Sequence, residues 1–211
     1  MVMKKLVFMT AIMLSSVWVK AQTVQLPAPI KTGGIPVMDA LSRRHSTRDF
    51  DTTRTLSKQT LSNLLWAAWG FNRADKRTAP SSMDKQEIDI YVVTKEGISL
   101  YDAKNNVLKQ VTSGDYRKDA GVQAYVATAP VNLIYVCNKS RMGENDGNIG
   151  LRETTFANTG LIAENVYLFC ASENLGVVVR SSIKREDMAK IMHLTDDQII
   201  TLVQTIGYPA K

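Results

Sequence analysis

The 211-residue sequence holds only two cysteines and two histidines, and their scarcity excludes several chemistries at once. Cys137 and Cys170 stand alone in the apolar contexts IYVC and YLFC, and no CxxC occurs. His45 and His193 are far apart and have no neighbouring Cys or paired carboxylates, so a metal-ligand spacing is missing. There is no GxSxG elbow, GxGxxG turn, P-loop lysine motif or HExxH helix. Charge of one sign is not concentrated: the formal net charge is +6, spread along the chain, without the basic face on which nucleic-acid recognition rests. Internal repeats and low-complexity tracts are absent too. If such a chain is an enzyme, a bound organic cofactor must carry the difficult step, because no self-sufficient catalytic set is visible.

What is present begins with an export signal. Residues 1–22, MVMKKLVFMTAIMLSSVWVKAQ, have a basic start at Lys4 and Lys5 and an apolar run from Leu6 to Val19. Val19 and Ala21 supply small residues at the positions a signal peptidase reads, so cleavage is expected after Ala21. The apolar run is short for a spanning helix, which needs about 20 such residues; the alternative is an uncleaved N-terminal anchor. No Cys follows the run to take a lipid, and no twin arginine precedes it. The expected destination is therefore outside the cytoplasm, periplasmic or secreted. Cleavage removes Lys4, Lys5 and Lys20 and lowers the formal charge to +3. In an exported chain the two cysteines are either bridged or, as their apolar settings favour, buried free thiols.

Hydrophobic residues make up 45% of the chain, enough for a folded core. Residues 22–36 (QTVQLPAPIKTGGIP) read as an extended arm, and 37–211 as one domain. Val37 to Arg43 is expected to be a short helix. Ser57 can cap a second one running to about Trp69, closed by Gly70, with Leu61, Leu64, Leu65 and Ala68 as its buried stripe. Trp66 and Trp69 fall off that stripe and are expected to meet a second apolar surface. IDIYVVT (88–94) reads as a strand, 98–101 and 107–111 as a hairpin, 116–126 as a short helix, and VNLIYVC as an interior strand. The longest helical pattern runs from about Arg152 to Asn174. It is apolar around most of its circumference, so it is expected to be buried on most faces and to pack partly against a second copy. A strand (177–180), a charged helix (184–193) and a last strand (199–207) follow. The mixture, without regular βαβ alternation, points to an α+β layered domain.

One cluster carries chemistry: Arg43-Arg44-His45-Ser46-Thr47-Arg48 at a helix-to-loop junction. Guanidinium forks and a hydroxyl match a phosphate monoester; a solvated charged turn is the other reading.

RRHSTRDF resembles the N-terminal signature of the nitroreductase family. So do Ala79-Pro80-Ser81-Ser82 ahead of a strand, the long helix of ANTGLIAENVYLFCASENLGVVV, and the ending Thr205-Ile206-Gly207-Tyr208-Pro209. The hairpin ISLYDAKNNVLKQVTSGDYRKD is similar to one in the branch that oxidises peptide azolines. The ordered matches cover about residues 37–209. The resemblance implies a mostly antiparallel sheet flanked by helices, a homodimer, and FMN as cofactor. It places Arg44, His45, Ser46 and Arg48 at the phosphate and ribityl chain, with His45 acting through its ring or only through its main chain. Pro80, Ser81 and Ser82 fall against the flavin ring, and Ser181 and Ser182 where backbone N–H groups lie near N5, or else on a surface turn. The activity implied is two-electron hydride transfer, in ping-pong order, from NAD(P)H to a nitroaromatic, quinone or similar acceptor. No side-chain catalyst is required for it. Two departures stand out. Asp84 occupies a position where the family often has Asn, and the chain stops at Lys211, which must alone supply a cation that a longer tail would carry. Export argues for a second enzymatic reading, a flavin dehydrogenase or oxidase working on a peptide or small molecule without NAD(P)H; Asp84 and the short tail favour a third, a binding protein that has lost turnover and holds flavin or another planar ligand.

Overall fold

The computed structural model describes residues 22–143 and 150–210. The expected signal segment, 1–21, and Lys211 lie outside the described residues. In chain order the elements are β1 (Thr23–Gln25), α1 (Val37–Arg43), α2 (Lys58–Trp69), β2 (Ile88–Thr94), β3 (Gly97–Asp102), β4 (Val107–Ser113), β5 (Val131–Asn138), α3 (Leu151–Ser172), β6 (Gly176–Arg180), α4 (Arg185–Ile191) and β7 (Gln198–Gly207). The seven strands form one sheet in the order β1-β4-β3-β2-β5-β7-β6, every pair antiparallel. The α+β expectation therefore holds.

Strand periodicity explains the layering, because alternate side chains leave opposite faces. Ile88, Ile90 and Val92 of β2, with Leu133, Tyr135 and Cys137 of β5, meet Leu61, Leu64, Leu65, Ile162 and Val166 from α2 and α3. Tyr91, Val93, Ile134 and Val136 face the other way, onto Met188 and Met192 at α4 and onto Ala120 and Val126. The sheet is thus sandwiched between an α2/α3 layer and a thinner layer built around α4. Cys137 and Cys170 are both buried and unbridged. Burial pushes both thiols up, Cys137 to about 12, so neither is a ready nucleophile.

The Ser57 cap forms as expected, its hydroxyl accepting from Thr60 N at 3.0 Å, and the predicted α2 stripe is buried. Four details differ from the sequence expectation. Trp69 belongs to the main core rather than to a second surface, its Nε1 donating to Ile88 O at 2.7 Å. The helix expected over 116–126 is two 3-10 turns, Arg117–Ala120 and Ala124–Ala127. Gly121 separates them in an extended conformation, where a Cβ would stand 2.0 Å from Arg180 Nη1. The arm at 22–36 is partly folded, since β1 pairs with β4 and covers that edge of the sheet. Finally, α3 is not buried all round: Thr155, Asn158, Thr159, Ile162, Val166, Tyr167 and Cys170 face inward, while Leu161 is 47% exposed.

Candidate functional site

At the free edge of β6, residues 46–51 lie along the sheet as a strap. Thr47 N donates to Val177 O at 2.9 Å, and the outward Val179 N–H donates to Tyr167 Oη at 2.9 Å. Tyr167 Oη also bonds Ser46 Oγ at 2.9 Å. Its ring lies beneath Arg44, whose guanidinium carbon is 5.4 Å from the centroid. Gly176 permits the approach, since a Cβ there would meet Thr47 at 2.8 Å. The C-terminal chain closes the other side: Asp51 N donates to Tyr208 O, and Ala210 N to Asp49 O. The strap is therefore held by α3, β6 and the C-terminal residues together.

From this fixed backbone Arg43, Arg44 and Arg48 project as exposed side chains. None forms an ion pair among the described residues. His45 Nδ1 contacts Arg43 O at 2.8 Å, which commits that nitrogen to the main chain and leaves Nε2 outward. Three unspent guanidinium groups around a tethered hydroxyl form a donor set without an internal acceptor, which suits a dianionic phosphate. The residues present therefore fit the phosphate end of FMN.

Pro80, Ser81 and Ser82 lie elsewhere on the chain. Ser82 N and Oγ both donate to Asn158 Oδ1, at 3.2 and 3.4 Å, and Asn158 Nδ2 donates to the fully buried Glu87 at 2.8 Å. Ser81 Oγ accepts from Gln86 N at 3.0 Å. The loop is strained, with Met83, Asp84 and Gln86 at φ of 50, 55 and 49°. Such conformations cost about 1–3 kcal/mol each and persist only where the surroundings over-determine them. Arg77 and Arg141 do so here: Arg77 Nε donates to Gln86 Oε1 at 2.9 Å, and Arg141 Nη1 to Gln86 O at 2.8 Å.

Asp84, the departure from the family pattern, is turned to Lys76, 2.5 Å from its ammonium, and also accepts from Gln86. The Lys76 hydrogen bond, aided by Gln86, holds the carboxyl below its ordinary range. Its charge is ionised and matched.

The third group, Ser181 and Ser182, follows directly on β6. Ser182 Oγ accepts from Gln123 Nε2 at 2.5 Å. Behind it Arg180 is buried; its Nη atoms donate to Ala120 O, Asn132 Oδ1 and Thr205 Oγ1, while its buried Nε has no partner among the described residues. Burial lowers it to about 10, still charged at neutral pH, with no carboxylate partner among the described residues.

One chain does not bring all the expected residues together. Val179, bonded to Tyr167, precedes Ser181 by two residues, so the strap and Ser181 share one flank of α3 within about 7 Å of strand. Asn158, which holds Ser82, is separated from Tyr167 by about two and a half helical turns, roughly 13 Å of axis, and so leaves the opposite flank. Tyr167, Asn158, Glu87 and Arg180 were not singled out in the sequence. A tyrosine inside an apolar helix, which must find a partner for its hydroxyl when buried, was the one signal available.

An antiparallel sheet, a long helix and an edge strap of unspent arginines make an α+β scaffold with an anion-binding edge. The description "Nitroreductase family" matches residues 41–208, and the chain belongs to that family and is an enzyme of its flavin oxidoreductase class. It is similar to a nitroreductase-type protein of Ralstonia eutropha JMP134, with 41% identity, 90% of each chain covered and a TM-score of 0.82. A nitroreductase-type protein of Methanocaldococcus jannaschii is 25% identical over 179 residues, 80% of this chain and 89% of the relative. A chain of the Escherichia coli microcin synthetase complex shares the fold, with a TM-score of 0.71, 18% identity, and 97% and 85% coverage of the two chains.

Proposed function

We propose that the chain is an exported FMN-dependent oxidoreductase, active as a homodimer, that moves two electrons as hydride from NAD(P)H to a nitroaromatic, quinone or similar acceptor in ping-pong order. The observation that carries this is the strap, in which Arg44 and Arg48 flank a Ser46 hydroxyl fixed by Tyr167, with no carboxylate among the described residues to consume the charge. Bound there, FMN would supply the redox chemistry. The chain's own residues bind and orient: Arg44, Ser46 and Arg48 take the phosphate end, Ser81 and Ser82 border the ring, and the Ser181–Ser182 turn offers backbone N–H groups. Asp84 keeps its charge matched by Lys76 and so does not oppose negative charge on the ring. Buried Arg180 adds an uncompensated positive charge beside Ser181.

The two flanks of α3 supply the reason for a dimer. Ser82 and the strap leave opposite sides of one helix, so a second copy would bring its own Ser81–Ser82 loop to the first copy's strap. The surface for this is apolar: Val37, Met38 and Leu41 of α1 and Leu161 of α3 are all exposed.

The test is an absorption spectrum of residues 22–211 after incubation with FMN and desalting. Retained flavin near one per chain, bleached by NADH or NADPH, is the expected result. Arg44→Ala with Arg48→Ala should abolish retention while changing stability by no more than about 0.5 kcal/mol; retention by that variant sinks the phosphate assignment. A second reading is favoured by the fold shared with a microcin synthetase chain: dehydrogenation of a peptide with a different electron partner. A flavin bleached by dithionite but not by NAD(P)H would select it. A chain that cannot be loaded would select a binding protein of the same fold that has lost turnover and holds a planar ligand other than flavin.

A further inference from the structure

A cavity of about 590 Å³ lies away from the strap, between the N-terminal arm, α2, the 71–76 turn and the β3–β4 hairpin. Its volume falls in the range of small-molecule sites, roughly 300–1,000 Å³. Trp66, Phe71 and Tyr101 give it aromatic walls, and Lys31 and Lys104 stand at its rim. Trp66 is fixed in place by its Nε1, which donates to Phe71 O at 3.1 Å.

Charge bookkeeping decides what such a cavity would accept. Of its two carboxylates Asp84 is matched by Lys76 Nζ at 2.5 Å, while Asp75, 3.6 Å from the same ammonium, leaves one negative charge against the two lysines of the rim. The nearby Asp102 is paired with Lys109 at 2.6 Å. Lys31 and Lys104 form no ion pair among the described residues. Lys31 Nζ stands 5.5 Å over the Trp66 ring, so a cation and an aromatic face are already side by side. Arg77 lies 4.0 Å over one face of Phe71, so the net free charge is positive and the aromatic walls already carry cations.

We propose that this cavity binds a small planar aromatic carboxylate, its ring against Trp66 and Phe71 and its carboxylate between Lys31 and Lys104. None of Arg44, Ser46 or Arg48 lines it, so the site is separate from the phosphate end of the flavin assignment and shares with that assignment only Asp84. An occupant would nonetheless abut the loop carrying Ser81 and Ser82, because Asp84 and Gln86 belong to both.

The test is calorimetric titration of residues 22–211, with and without FMN, using 2-naphthoate, its neutral analogue 2-naphthamide and the cation 2-naphthylmethylammonium. The expected result is saturable binding of one naphthoate per chain, at least tenfold tighter than the amide, with the cation weakest. Lys31→Ala with Lys104→Ala, both on the surface, should erase the tenfold preference and leave the unfolding temperature unchanged. Trp66→Leu should weaken naphthoate and amide alike. Equal affinity for the three probes, or a preference that survives the double lysine variant, overturns the proposal. So does naphthoate binding that disappears on loading FMN or in the Arg44→Ala, Arg48→Ala variant, which would place the probe on the strap. Naphthoate binding by a chain that retains no flavin leaves this site standing while the flavin reading fails.

Discussion

Replacing Tyr167 by phenylalanine removes one hydroxyl and leaves the ring under Arg44 in place. That hydroxyl takes the Val179 N–H and bonds Ser46, each at 2.9 Å. Val179 lies on the edge strand and is half-buried, so its amide would lose its partner with poor access to water. Leaving such a donor unpaired costs about 1–3 kcal/mol, and losing the Ser46 bond about 0.5–1.5 kcal/mol. Partial hydration at the sheet edge favours the lower end, so a loss of about 2 kcal/mol is expected. In a chain of this length each kcal/mol moves the unfolding midpoint by about 2–4 °C, which gives a fall of about 4–8 °C. Ser46→Ala removes only the second bond and should cost less than half as much. The untethered strap should also bind FMN about tenfold more weakly, equivalent to about 1.4 kcal/mol. Scanning calorimetry and flavin titration on residues 22–211 measure both effects. A Tyr167→Phe midpoint equal to that of Ser46→Ala would refute the reasoning, because Val179 would then have no need of the hydroxyl.

Gly121→Ala places a Cβ 2.0 Å from Arg180 Nη1 and 2.9 Å from its Cζ. Arg180 is anchored by Ala120, Asn132 and Thr205 and cannot retreat, so urea unfolding should show a loss of about 1–3 kcal/mol. Asp102 gives a pH signature. Burial raises its carboxyl, but hydrogen bonds from Lys109 and Asn105 outweigh that and hold it at about 2, below the ordinary 3.8. The stabilisation is thus complete above the ordinary value and lost as pH falls through about 4 toward 2. Asp102→Asn should flatten the fall in urea midpoint between pH 5 and pH 2.5, and an unchanged slope would exclude the pair as its source. Leu161→Glu, on the exposed face of α3, should shift sedimentation from dimer to monomer and reduce flavin retention; a variant that stays dimeric places the interface elsewhere.

Several elements were legible because local and long-range signals agree in them. In α2 the Ser57 cap, the stripe at Leu61, Leu64, Leu65 and Ala68, and the Gly70 stop all specify one helix. β2 and β5 alternate or are wholly apolar as interior strands require. The strap was legible as residue types, since Arg44, Ser46 and Arg48 carry their chemistry in their identities. What holds it was not, because Tyr167, Val177 and Val179 are remote in sequence and their role rests on one hydroxyl and one strand edge. The 116–126 segment misled for a related reason. Its composition suits a helix, but Gly121 must stay extended to pack against Arg180 from β6, a tertiary demand that overrides propensity. The apolar circumference of α3 concealed a buried polar stretch: Thr155, Asn158 and Thr159 are buried beside Ile162, because Arg152 O, Glu87 and Thr201 respectively supply their hydrogen bonds.

Without the short β1 the sheet would end at β4 and β6, and each of these is bordered by a segment from outside the central six strands: β1 pairs with β4, and the strap with β6. An unguarded strand edge is a template on which other chains can add. At β6 the guard is the same stretch of backbone that would grip the phosphate. Solubility and ligand binding are thereby written into one set of residues, and the chain cannot drift in one without risking the other. A variant that frees Ser46 and Thr47 is expected to open the β6 edge to pairing by other chains, whether or not a ligand is bound.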